Sequence, residues 1–135
     1  MSVSAEFQKA LVDLLRADAG VSALVHGAVY DEIPKSRPDL CISIGPSDYH
    51  FLDLQCSNLR LQTVQVDIYN RDGRRLVDTR RTVDAVADAV RAATITLPTP
   101  YALNNIRVGI CRVFHEADGR ASRGVVQVEA EIEEI

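Results

Sequence analysis

The spacing of apolar residues changes along the stretch from Leu59 to Ala93. In its first part, apolar residues alternate with polar ones, which is typical of a strand with one buried face. The alternating apolar positions are Val64, Val66 and Ile68. The run Asn70–Gly73 has turn chemistry, and beyond it the apolar residues recur every three or four positions, as on one side of a helix. The pattern predicts a long strand, a tight turn and a helix from about Arg74 to Ala93.

The other segments predict a leading helix and further short strands. The predicted elements are a helix over Met1–Asp18, a short turn at Val21–Val25, and strands at Val29–Tyr30, Leu40–Gly45, Ile106–Phe114 and Gly124–Ile132. Pro46–Asn58 has no clean period, which predicts a long connection or the extended tip of a hairpin. Thr94–Asn105 is predicted to be a loop, and Asp118–Gly119 is a hairpin turn signal.

This order of elements predicts an α+β fold. We expect an antiparallel β-sheet of about four to five strands, with the N-terminal helix and the long central helix packed on one face. At 135 residues, the chain is predicted to form a single domain over residues 1–135. In the strand before the last turn, alternation predicts that Ile106, Val108, Ile110 and Phe114 share one face.

The apolar residues of the central strand change face partway along it. Leu59 and Leu61 are at odd positions, whereas the apolar residues from Val64 onward are at even positions. Because the side chains of a regular strand alternate between its faces, both sets cannot enter one core. Either a bulge near Gln62–Thr63 resets the alternation, or the leucines are buried by a neighbouring subunit. The predicted members of that subunit interface are Tyr49, Phe51, Leu52, Leu54, Leu59 and Leu61.

Composition and charge are those of an ordinary globular protein. Hydrophobic residues make up 47% of the chain and charged residues 25%. The formal net charge of −4 does not favour nucleic-acid binding by the domain as a whole. No apolar run approaches the roughly 18 residues of a membrane-spanning helix. The three cysteines are odd in number and far apart, which favours free thiols and a reducing compartment.

Residues capable of catalysis or metal binding do not form a known motif. His50 and Cys56 lie in one segment, and Cys111 and His115 in another, so a cysteine–histidine pair is an open alternative at either place. Neither segment has the ligand spacing of a zinc site, and no phosphate-binding loop or esterase motif occurs. The sequence therefore predicts no catalytic, metal-binding or cofactor-binding residue, and a protein that is not an enzyme.

Several segments together resemble the tail completion (tail terminator) family of long-tailed phages and gene transfer agents. The segments that carry the resemblance are Val29–Pro34, Cys41–Gly45 and Thr63–Arg71, followed by the long helix and the turn at Asp118–Gly119. The resemblance covers nearly the whole chain and depends on the order and spacing of these segments. It implies a small α+β protein that forms a hexameric ring, caps the finished tail tube and docks to the head.

The resemblance also implies partners and a location. We expect a homo-oligomeric ring that contacts the tail tube protein and the head–tail connector or stopper protein. DNA would pass through the ring without sequence-specific binding, and no membrane or cofactor is involved. The protein would be assembled in the host cytoplasm and reside in the virion. The alternatives are a head–tail connector or stopper protein and, in a different class, a small cytoplasmic enzyme or ligand-binding domain.

Acidic residues alternate along the last predicted strand. Glu129, Glu131 and Glu133 fall on one side of it. One interpretation is a solvated strand face. The other places these carboxylates on the lumen of a ring, where negative charge would keep passing DNA from adhering.

Overall fold

The computed structural model describes residues 1–54, 57–73 and 75–135, without the side chains of residues 53, 54 and 57. The helices are α1 (Val3–Ala17), α2 (Ala19–Val25) and α3 (Val77–Arg91). The strands are β1 (Val29–Tyr30), β2 (Leu40–Leu54), β3 (Ser57–Asn70), β4 (Tyr101–His115) and β5 (Ser122–Glu134). These elements confirm the predicted α+β fold. Within the described ranges, no helix is long and apolar enough to cross a membrane.

The five strands form one sheet in the order β1-β2-β3-β5-β4. Every neighbouring pair is antiparallel except β1 and β2, which are parallel. The predominantly antiparallel sheet confirms the prediction, and short β1 is its one parallel member. Strand β5, although last in the chain, lies between β3 and β4.

The core lies between one face of the sheet and the helices. The even-numbered residues of β3 face α1 and α3, which contribute fully buried apolar side chains to the same cluster. The fully buried residues that α1 and α3 contribute to this cluster are Phe7, Leu11, Leu15, Val86 and Val90. Apolar residues at a helical period thus cover apolar residues at a strand period, as the sequence predicts. The face of the sheet that contains the even positions of β3 is called the helix face below, and the other is called the open face.

Polar side chains define the ends of the first two helices. Ser2 Oγ accepts a hydrogen bond from the Ala5 amide at 3.2 Å, and Asp18 Oδ2 accepts one from the Val21 amide at 3.0 Å. These bonds satisfy amides that have no partner within their own helix. His26, in the left-handed conformation, ends α2. The predicted turn at 21–25 is therefore a short helix that begins at Ala19.

The segments without clear periodicity differ most from prediction. Residues 46–54 continue β2, which pairs with β3 up to Leu54, so they form the extended end of a hairpin, one of the two predicted alternatives, and not a long connection. Strand β4 begins at Tyr101, inside the predicted loop 94–105. An edge strand accessible from more than one side need not alternate apolar with polar residues, so these extensions had no periodic signal.

The prediction that four apolar residues of β4 share one face is wrong. The register between β4 and β5 shifts between Val108 and Cys111. As a result Cys111, instead of Ile110, lies opposite Val126 of the buried face, and Ile110 is exposed. Phe114 changes face for the same reason, because an extra residue in a strand reverses the alternation beyond it.

No bulge occurs near Gln62–Thr63. The register between β3 and β5 continues without a shift from Asn58 to Asn70, and the bulge in this region lies in β2, between Ile44 and Ser47. Leu59 and Leu61 therefore lie on the open face. Gln62 occupies the core position instead and is 1% exposed, with its Oε1 accepting a hydrogen bond from Ser4 Oγ at 3.4 Å.

Close packing of β5 against α3 yields a stability test. A Cβ atom added to Gly124 would collide with Val83 Cγ2. We expect Gly124→Ala to lower the free energy of unfolding by about 1–3 kcal/mol, the usual cost of overpacking. Since Val83→Ala removes the colliding methyl groups, the double variant should be more stable than the sum of the two single effects implies. Urea denaturation measures all three variants.

Gly109→Ala is the matched control, because Gly109 is exposed and its nearest neighbour is the flexible end of Gln127. A fully additive effect of Gly124→Ala and Val83→Ala would contradict the proposed collision.

Candidate assembly surfaces

The end of the β2–β3 hairpin has an exposed aromatic pair on its helix face. Tyr49 and Phe51 lie opposite Gln62 and Arg60, at even positions of β3. Their rings meet edge to face with centroids 5.7 Å apart. Arg60 places its guanidinium 4.2 Å from the centroid of Tyr49 and 5.2 Å from that of Phe51. The pair is held in place by cation–π contact, yet 48% of Tyr49 and 63% of Phe51 remain exposed.

The leucines of the same hairpin lie on the open face. Leu52 is directly opposite Leu59, and both are in register with Glu133 of β5. Leu59 is buried but does not belong to the main core, whereas Leu52 and Leu61 are half-buried. Five of the six residues predicted as one subunit interface are therefore divided between the two faces of the sheet. The side chain of Leu54 lies outside the described part of the chain.

The acidic residues of β5 share the open face with these leucines. Glu129, Glu131 and Glu133 lie opposite Thr63, Leu61 and Leu59, and all three are half-buried. Arg107 Nε is 2.6 Å from Glu129 Oε2, and Asn104 Nδ2 donates to Glu133 Oε2 at 3.2 Å. Because β5 lies between β3 and β4, these glutamates run along an interior strand of the sheet. Glu129, Glu131 and Glu133 are called the acidic stripe below.

A buried ion pair lies farther along the open face, and sequence reasoning missed it. Arg123 Nη2 is 3.0 Å from Asp67 Oδ1, and Gln65 Nε2 donates to the same oxygen at 2.7 Å. The guanidinium also lies 4.8 Å from the ring centroid of Tyr69. Gly45 leaves room for the Asp67 carboxylate, because a Cβ there would overlap it. No local signal was available, because Asp67 occupies an ordinary polar position of the alternating strand and Arg123 is 56 positions away.

The surroundings of this pair alter the acidity of Tyr69. Burial raises the pKa of the Tyr69 hydroxyl, and the charge of Asp67 raises this pKa further, while that of Arg123 lowers it. The positive and negative charges act in opposite directions on the phenolate. Tyr69 is therefore a neutral hydrogen-bonding side chain on the open face, with Arg123 Nη2 3.4 Å from its hydroxyl oxygen.

The cysteines and histidines belong to no cluster of metal ligands in the part of the chain that the structure describes. Cys41 is buried and Cys111 is exposed, and neither forms a disulfide. Burial raises the pKa of the Cys41 thiol, and partial desolvation with the nearby charge of Asp84 raises the pKa of the Cys111 thiol, which disfavours the reactive thiolate at both positions. Across residues 1–54, 57–73 and 75–135, no three potential metal ligands cluster. The possible pair of His50 and Cys56 lies partly outside the described residues.

Comparisons with known proteins agree with this architecture. A family model described as tail completion protein gp17 matches residues 9–133. A chain in the solved structure "Virion of native gene transfer agent (GTA) particle" superposes with a TM-score of 0.88 at 23% sequence identity, covering 98% of each chain. Similarity at that level of identity shows a shared fold. No curated protein matches the sequence.

Two arginine–carboxylate pairs on the open face allow a matched stability test. Arg123→Ala leaves Asp67 buried without its cationic partner, so we expect a loss of about 3 kcal/mol of unfolding free energy. Arg107→Ala removes the partner of the more exposed Glu129, and we expect a loss of at most about 1 kcal/mol. Thermal and urea denaturation compare the two variants. Equal losses would contradict the assignment of Asp67–Arg123 as a buried pair.

Proposed function

The chain belongs to the tail completion protein gp17 family, and on that basis we propose that it forms a closed ring that terminates the tail tube and joins it to the head connector. Members of this family are structural proteins of phage-type tails, and this chain is accordingly a structural component of a virion. In this proposal, six copies of the chain form a homo-oligomer that lies between the tail tube and the head. Its role is geometric and not catalytic.

The observation that carries the proposal is the exposed aromatic pair on an otherwise completed core. Phe51 and Tyr49 project from a hairpin whose inner half is buried by α1 and α3. Large exposed aromatic side chains that lie together on a soluble protein usually mark an interaction site. Aromatic residues and arginine are also the residues enriched at protein interfaces. Tyr49, Phe51 and Arg60 together match that composition.

Ring formation requires two different surfaces on each copy. When one surface of a subunit binds a different surface of the next, the assembly closes into a ring if the rotation permits and otherwise grows as a filament. A ring that ends a tube also needs one end that binds the tube protein and another that binds the connector. Within this proposal, the two surfaces are at opposite ends of the long strands, so that one end of the sheet meets the tube protein and the other end meets the connector.

The acidic stripe then faces the channel. If the helices lie on the outside of the ring, the open face lies on the inside, and Glu129, Glu131 and Glu133 line the lumen. Carboxylates there would repel the phosphates of passing DNA. Arg107 neutralises part of this charge at Glu129. DNA would therefore pass the ring without being bound.

A charge substitution at the hairpin tests the assembly surface. We expect Phe51→Asp to leave the monomer folded and to block ring formation, since it places a carboxylate in an apolar contact between subunits. Val77→Asp is the control, because Val77 is an exposed apolar residue of α3, away from the hairpin. Light scattering over a concentration series reports assembly, and circular dichroism reports folding.

Rings formed by the Phe51→Asp variant as readily as by the wild type would contradict the assembly surface. Unfolding of the isolated Phe51→Asp variant would instead assign Phe51 to the intramolecular core. A wild-type protein that remained monomeric and never appeared on tails would contradict the proposed function.

Neutralising the acidic stripe tests its place in the channel. We expect rings of the variant Glu129→Gln, Glu131→Gln, Glu133→Gln to retain double-stranded DNA at low salt more strongly than wild-type rings do, with retention lost as salt screens the charges. The control replaces the exposed acids Asp13, Asp84 and Asp88 by Asn, which changes net charge equally. DNA retention is measured by filter binding. Equal retention by both variants would contradict a lumen position.

A further inference from the structure

The sheet has two free long edges among the residues that the structure describes. Strand β4 is one edge of the sheet. At the other edge, β1 pairs only with Ile42 and Ser43, so the outer side of β2 from Ser47 to Leu54 has no strand beside it. Unpaired backbone groups along such an edge are a template for another strand. The segment Ser47–Leu54 is called the β2 edge below.

The β2 edge lacks most of the features that prevent unwanted strand pairing. It remains in register with β3 over all of its eight residues, without a bulge. It has no proline or lysine, its charged residues are Asp48 and Asp53, and it contains the exposed aromatic residues Tyr49 and Phe51. Monomeric proteins usually blunt a regular apolar edge with charge, proline or a bulge. The regularity of this edge indicates that another strand covers it in the working assembly.

We propose that the β2 edge of one copy pairs antiparallel with β4 of the next copy, so that the sheets of the ring join into one closed wall. This inference rests on the proposed ring and specifies how its subunits meet. Strands β2 and β5 run in one direction, and β3 and β4 run in the other. Two copies related by rotation about an axis along the strands therefore place β4 of one antiparallel to β2 of the next. Antiparallel pairing is slightly the more stable kind per residue.

The residue pairings within one copy show that the two edges are complementary. Each row of directly opposed residues crosses the sheet from β2 through β3 and β5 to β4, so it has one end on each free edge. If a row continues into the next copy without offset, its two end residues meet. The resulting pairs are Asp48 with Arg107, Tyr49 with Ile106, His50 with Asn105, Phe51 with Leu103, and Leu52 with Ala102.

The side chains in these pairs are chemically complementary on both faces of the sheet. On the helix face, the exposed aromatic rings of Tyr49 and Phe51 meet half-buried aliphatic side chains. On the open face, Asp48 meets Arg107, which already bonds Glu129. Aromatic–aliphatic and opposite-charge pairs across strands each contribute roughly 0.2–1 kcal/mol. Pairing of the β2 edge with a second β2 edge would leave both β4 edges free and would form a dimer that cannot close a ring.

Disulfide trapping tests the contact in the full-length protein. The variant His50→Cys, Asn105→Cys is made with Cys56→Ser and Cys111→Ser, while buried Cys41 is kept. Within one copy, positions 50 and 105 are on opposite edges of the sheet, three strand spacings or roughly 14 Å apart. A disulfide requires Cα atoms within about 7 Å, so the two residues of one copy cannot be bridged. Mild oxidation of assembled protein should give a ladder of covalent oligomers on non-reducing gels.

The control variant His50→Cys, Ala117→Cys has the same number of thiols, with the second in the turn after β4. It should give no ladder. The variant His50→Cys, Arg107→Cys tests the same edges with an offset of two residues, and a ladder from it in place of the Asn105→Cys ladder also supports edge pairing. Rings that form by light scattering but yield no ladder from either pair would overturn the inference while leaving the ring intact. Absence of assembled wild-type protein would instead overturn the proposed function.

Discussion

The unbroken register between β3 and β5 is the constraint on which the rest of the structure depends. Thirteen consecutive pairs, from Asn58 with Glu134 to Asn70 with Ser122, keep the two strands aligned over their whole shared length. A slip of one residue would move every core side chain to the opposite face. This alignment sends Val64, Val66 and Val126 towards the helices and, by the same alternation, sends the leucines and glutamates of the hairpin end to the open face.

Strong periodicity in the sequence was sufficient to predict the central elements. The strand before the turn at 70–73, the long helix after it and the last strand are where the period indicates, because each buries one regular face. Exposed or irregular segments gave no such signal. Residues 46–54 form an edge strand whose side chains are mostly exposed, and the two register shifts in β4 reverse its alternation. Neither feature can be derived from the spacing of apolar residues alone.

The candidate surfaces were predicted in part. The sequence showed that Leu59 and Leu61 lie on the face opposite to the core, and the structure agrees. That Tyr49 and Phe51 lie on the other face from these leucines follows from the pairing of β2 with β3. The phase of Tyr49 and Phe51 depends on the bulge between Ile44 and Ser47, which has no signature in the apolar pattern. The Asp67–Arg123 pair joins residues that are 56 positions apart, so no local pattern indicates it.

Hydrogen–deuterium exchange of the ring and the monomer tests the central claim most directly, because it reports backbone pairing at each segment. If subunits meet edge to edge, amides of residues 47–54 and of β4 that exchange rapidly in the monomer become protected in the ring, and those of α1 and α3 keep their monomer rates. Protection that appears on the helices and leaves both strand edges unchanged would contradict the account.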